Sequence, residues 1–189
     1  MTRVQQIVLI VSFLLFSWLG MQAVHELGHI VGAWLTGGDV TRVVLHPLAI
    51  SRTDLGHNRL PLVVVWAGPI VGVLLPLIVY MVAKAFRVGG LYLFRFFAAF
   101  CLLVNGGYIG FGPSEGVLDT AVMVRCGTPR WVMVSFGLAA IALGLYLMHG
   151  QGKYFGLGQA KGKVSRTAVL VSLGMLISVV GLELLLGAK

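Results

Sequence analysis

Five consecutive residues, His25-Glu26-Leu27-Gly28-His29, hold two imidazoles and a carboxylate at a spacing that can do chemistry. On an α-helix, at about 100° per residue, positions 25 and 29 fall one turn apart on the same face, about 6 Å along the axis, so both rings can reach one metal ion. Glu26 projects about 100° away from His25, where it can approach a water at the metal without being a ligand. This HExxH pattern is that of two zinc ligands and a general base for hydrolysis. Its setting strengthens the reading. From Ile7 to Leu35 the chain carries no other charged residue, and an ionisable group near the centre of a membrane helix costs about 2.5–3.5 kcal/mol, so such groups are usually functional.

The elements that must position this motif follow from composition. The chain has 189 residues, 58% hydrophobic and only 11% charged, with a mean hydropathy of +0.96. Soluble domains run nearer half apolar and a quarter charged, and one of this size could not bury the excess. A cytosolic enzyme and a disordered chain are therefore excluded, and the expected solvent is a lipid bilayer. The net charge of +8 comes with no basic stripe interleaved with aromatics, so no nucleic-acid partner is expected; the positive residues flank the apolar runs instead. Cys101 and Cys126 form no CxxC pattern and offer neither a disulfide framework nor a thiolate metal site.

Five stretches are long and apolar enough to span: Ile7 to Val24 with apolar continuation to Leu35, Leu60 to Ala83, about Leu91 to Ile109, Trp131 to Met148, and Val164 to Leu186. All read as helices, because backbone in lipid must be satisfied internally and none alternates as a barrel strand does. The expected fold is thus an all-α polytopic membrane protein, with a re-entrant or short helical segment and a small strand-like connector. The first helix, with Arg3 ahead of its apolar core, has a secretory signal peptide as its rival; Met21 is poorly suited to a cleavage site after Ala23, and the helix is expected to be retained. Glu183, near the end of the last span, is expected to pair with Lys189.

The connectors carry the remaining polarity. Gly37 to Arg59 opens with a glycine pair and suggests one or two short strands around Val40 to Leu45. Gly106 to Arg130 is glycine-rich, with Pro113, Glu115 and Asp119. Gly150 to Arg166 is basic and reads as a flexible juxtamembrane linker. A hydrolytic zinc site keeps three protein ligands and an open position, so the third ligand must come from Asp119, Asp54, Glu115, His46, His57 or Asp39. If the first helix ends on side B of the membrane, the next two spans return the chain to that side just before Gly110. Asp119 then arrives on the correct side, provided its segment dips into the protein, and Ala121 to Val124 suit a short helix that carries the carboxylate inward.

HELGH late in the first helix, the Gly37-Gly38 break, the strand-like connector, Ala67-Gly68-Pro69 early in the next span and the later Leu118-Asp119 together resemble the site-2-protease family of intramembrane zinc metalloproteases. The resemblance covers most of residues 7 to 130. It implies a Zn2+ cofactor held by His25, His29 and Asp119, with Glu26 as the catalytic base, and it makes Asn105 with Pro113 the counterpart of a family asparagine, a candidate contact to substrate or oxyanion or, as the preferred reading, a structural residue of the Gly-rich bend. Thr120 stands where the family usually has glycine. The implied arrangement is one membrane-embedded metalloprotease domain over 1–189, with a catalytic core of about 7–130, additional spans over 131–189 and none of the regulatory domains that many relatives carry. The implied activity is hydrolysis of peptide bonds in a membrane-spanning protein substrate, and the expected location is multi-pass in a cell membrane, of a prokaryote. A substrate helix must unwind before attack, and adding a strand beside Val40 to Leu45 is one way to hold it. Two other classes compete. A metal-ion transporter should line a path with polar residues on several helices, which the second, fourth and fifth spans scarcely provide, and an inactive scaffold of the same fold should have lost the motif. Gly68 and Gly72 read as small residues for close helix packing.

Overall fold

The computed structural model describes residues 3–49, 51–114 and 118–187. Six helices and one hairpin follow in the order α1 (Arg3–Leu35), β1 (Val40–Val44), β2 (Arg52–Leu55), α2 (Pro61–Ala85), α3 (Leu91–Phe111), α4 (Asp119–Arg125), α5 (Arg130–Met148) and α6 (Arg166–Gly187). All but α4 are long and apolar enough to cross a membrane, so the chain is a helical polytopic fold with a small two-stranded sheet. α1 and α2 pack together, α6 lies against α1, and α3 lies between α2 and α5.

The HExxH motif does not end the first helix. α1 runs unbroken through it to Leu35, despite Gly28 and Gly32, which stand where α2 comes close. It stops where Gly37 turns left-handed at φ +68 and the Gly38 N–H donates to the Ala33 carbonyl at 2.8 Å. β1 and β2 then pair antiparallel, Val40 opposite Leu55 and Val44 opposite Arg52, with an irregularity between Val40 and Arg42. β1 falls in the Val40 to Leu45 stretch where strand was expected, while its partner β2 lies later in the connector, at Arg52–Leu55, where none was expected.

Bulk apolar packing accumulates at the end of the bundle away from the motif. Leu9, Phe13, Leu93, Phe155, Val164, Ala168 and Val169 form one buried cluster there. The Gly150 to Arg166 connector is thereby no slack linker: a 3-10 turn over Gln151–Phe155 drives Phe155 into the cluster, and the Gln6 side chain donates to the carbonyls of Phe155 and Gly156 at 3.1 and 2.9 Å. Burial of an aromatic ring decides the matter over glycine content. Glu183 is buried on α6, and its expected partner, Lys189, lies outside the described residues.

Beside the motif a second buried cluster, Val65, Ile109, Met123 and Met133, is joined by close backbone approach. A Cβ at Gly28 would stand 2.7 Å from Gly68 Cα, and one at Gly137 would stand 2.6 Å from Gly110 Cα. Without a hydrophobic drive between helices in lipid, such small-residue contacts are how helices gain van der Waals energy. They bring α2 against α1, and α5 against α3, within reach of the side chains described next.

Candidate metal centre

α1 presents His25, Glu26 and His29 inside the bundle, 7%, 5% and 7% exposed. The two rings stand edge to face with centroids 4.8 Å apart. Each ring is held from behind through Nδ1. His25 Nδ1 meets Asn105 Oδ1 at 2.7 Å and His29 Nδ1 meets the Val64 carbonyl at 2.9 Å. Both are acceptors. The Asn105 amide is itself oriented by Nδ2, which donates to the Cys101 carbonyl at 2.9 Å, so its oxygen is the atom left for the histidine. Each Nδ1 therefore carries a proton, and each ring turns Nε2, the nitrogen a metal would take, toward the interior.

The two Nε2 atoms converge on Asp119, the first residue of α4. His25 Nε2 lies 2.9 Å and His29 Nε2 3.3 Å from Asp119 Oδ2. Asp119 is placed by its own backbone, whose N–H donates to the Tyr108 hydroxyl at 3.1 Å. The approach to α4 is pinned by Thr120, whose hydroxyl donates to the Pro113 carbonyl, and by Arg130 Nη2, which donates to the Gly112 carbonyl at 2.8 Å. Burial pushes the Asp119 carboxyl up, but the two imidazoles outweigh it and hold the group well below the usual carboxylate range, so it is an anion at neutral pH.

Ring nitrogens this close to a carboxylate oxygen are held there by a shared proton or by a cation between them, and a metal ion can take that place. The ligand atoms of His25, His29 and Asp119 all lie within 4.8 Å of one another. A tetrahedral zinc ion with bonds of about 2.0–2.1 Å sets its ligand atoms about 3.3 Å apart, close to the 2.9 and 3.3 Å that separate the two rings from Asp119. Two imidazoles and a carboxylate also match zinc in ligand type. The residues present fit the ion, which His25, His29 and Asp119 would hold. The Asp119 side chain keeps 25% exposure against 9% for the histidines, so the site opens past the carboxylate.

The other predicted third ligands stay away. Asp54 pairs with Arg52 at 3.1 Å on the hairpin, Asp39 and His57 are exposed and His46 is half-buried. None joins the cluster among the described residues, and Glu115 lies outside them. Asn105, predicted as a contact to substrate or oxyanion, sits in the body of α3 at 1% exposure with its amide engaged at both ends; what it touches is the His25 ring. Groups that orient a ligand histidine typically govern affinity by about 10–100-fold. Asn105→Leu is expected to weaken zinc binding by that factor while leaving the helical content intact, measured by competition with a chromophoric chelator and by circular dichroism.

Several contributors escape sequence reasoning. A Cβ at Gly68 would strike the His29 imidazole and come within 3.0 Å of His25 Nε2, and one at Gly72 would lie 2.8 Å from Asn105 Oδ1. These glycines clear space for the His25 and His29 rings and for Asn105, a more specific role than helix packing. The Val64 carbonyl is a backbone group with no signature in the sequence. Glu26 is met from the hairpin: Ser51 Oγ donates to Oε1 at 3.1 Å and Thr53 Oγ1 to Oε2 at 2.7 Å. Compared with protein-family models, with curated proteins and with solved structures, the chain matches none.

Proposed function

We propose that this chain is an intramembrane zinc metalloprotease that hydrolyses peptide bonds of membrane-spanning proteins. One observation carries the reading: two imidazole nitrogens and a carboxylate, drawn from α1 and α4, converge at one point beside a glutamate on the same helix. A zinc ion held there supplies Lewis acidity and makes water a nucleophile near neutral pH.

The chain's own residues supply the rest. Glu26 accepts the proton of the attacking water and passes it to the leaving amine. Asn105 and the Val64 carbonyl fix the tautomers of His25 and His29, so that Nε2 is the free nitrogen on both rings. The substrate class follows from surroundings. The site lies within helices suited to a bilayer, and β1–β2 is a sheet of two strands, neither paired to a further strand among the described residues, which suits reception of an unwound segment of a membrane helix.

The purified full chain is expected to carry one zinc per molecule, measured by mass spectrometry of metals. In liposomes it should cleave a single-span model peptide, lose that activity with a membrane-permeant chelator and regain it with zinc. Zinc with ion flux and no cleavage would make the chain a transporter, and neither zinc nor cleavage would make it a scaffold.

A further inference from the structure

Glu26 needs an orientation, and its own helix does not give it one. The side chain is buried, 5% exposed, and its two oxygens accept from hydroxyls on a different element, Ser51 and Thr53. We infer that Ser51 and Thr53 are positioning residues for Glu26, holding the carboxylate so that its remaining acceptor lobes face the metal centre. The inference rests on the proposed proteolytic reading, in which Glu26 is the base.

The hairpin is built to do this. Ser51 and Thr53 are two residues apart, so on an extended segment their side chains share one face, while Arg52 and Asp54 take the other and pair there with each other at 3.1 Å. The polar face is thus turned onto α1. A further contact fixes its height along that helix: the Ser51 backbone N–H donates to Gln22 Oε1 at 3.2 Å, one turn before Glu26 on the same side of α1. Gln22 and Glu26 form two successive rungs against one segment of the hairpin.

The arrangement orients the base without consuming it. An ionised carboxylate has about four acceptor lobes over its two oxygens. One hydroxyl on each oxygen leaves one lobe per oxygen for the water proton and for the leaving amine. Because the same hairpin offers the sheet edge proposed to receive substrate, orientation of the base and reception of the substrate strand depend on one element.

The test uses the full zinc-loaded chain in liposomes with the single-span model peptide. Thr53→Val keeps the side-chain shape and removes the donor; kcat should fall roughly 10- to 100-fold, as misplacing a catalytic group by about an ångström does, with KM and zinc content unchanged. Thr53→Ser should restore most of the rate, and Ser51→Ala, which loses the longer bond, should cost less than Thr53→Val. A readout independent of turnover is amide hydrogen exchange over 51–55, expected to quicken severalfold in Glu26→Ala. Wild-type cleavage with Thr53→Val at the wild-type kcat, with equal losses in Thr53→Ser and Thr53→Val, or with hairpin exchange indifferent to Glu26→Ala, overturns the inference and leaves the protease reading standing. A wild type that cleaves nothing while its hairpin exchange still answers to Glu26→Ala removes the protease reading, and with it any positioning role, leaving a structural tether.

Discussion

Glu26→Gln is expected to keep its zinc and lose its cleavage. Glutamine has nearly the size of glutamate and its carbonyl oxygen can still accept from Ser51 or Thr53, so the fold and the three ligands His25, His29 and Asp119 are undisturbed. It has no basic site for the proton that must leave the attacking water. Loss of a general base costs about 10²–10⁴-fold in rate. Metal analysis beside a cleavage assay on the same preparation checks both halves. A Glu26→Gln chain that cleaves at the wild-type rate removes Glu26 from its role.

The second large effect falls on the metal itself. Asp119→Ala should leave His25 and His29 as the only donors on the described cluster and drop bound zinc well below one per chain, with cleavage lost in parallel. The natural comparison is Asp54→Ala. That carboxylate is also on the motif's side of the fold but pairs with Arg52 on the hairpin at 42% side-chain exposure, so its removal should leave zinc content within error of the wild type. Equal zinc in Asp119→Ala and wild type would show that another group completes the coordination.

The contrast between these two aspartates shows what was legible in the sequence. The spans were readable because hydropathy is a local property, and the HExxH pair because a helix turns by a known angle. Asp119 could be placed on the right side by counting membrane crossings, yet its contact with two imidazoles depends on α4 being steered by Tyr108, Pro113 and Arg130, which no local pattern reveals. Asn105 could be singled out but its work could not, since whether an amide faces a substrate or a ligand depends on the rotation of α3 about its axis. The Val64 carbonyl was beyond reach altogether, because main-chain acceptors have no letter. Ser51 and Thr53 left only a faint trace, two hydroxyls at alternate positions in a strand, meaningful once the strand is known to lie against α1. The juxtamembrane connector misled for an opposite reason: its many glycines suggested slack, and one buried ring, Phe155, overrode them.

Gly68 offers no donor atom, and the proposed metal centre nonetheless depends on it, because a methyl group there would strike the His29 ring and stand 3.0 Å from His25 Nε2. Kin of this chain could therefore fall silent through one added carbon on α2 while every donor atom stayed in its place in the alignment. Sorting working from dormant copies calls for inspecting position 68 as closely as the histidines themselves.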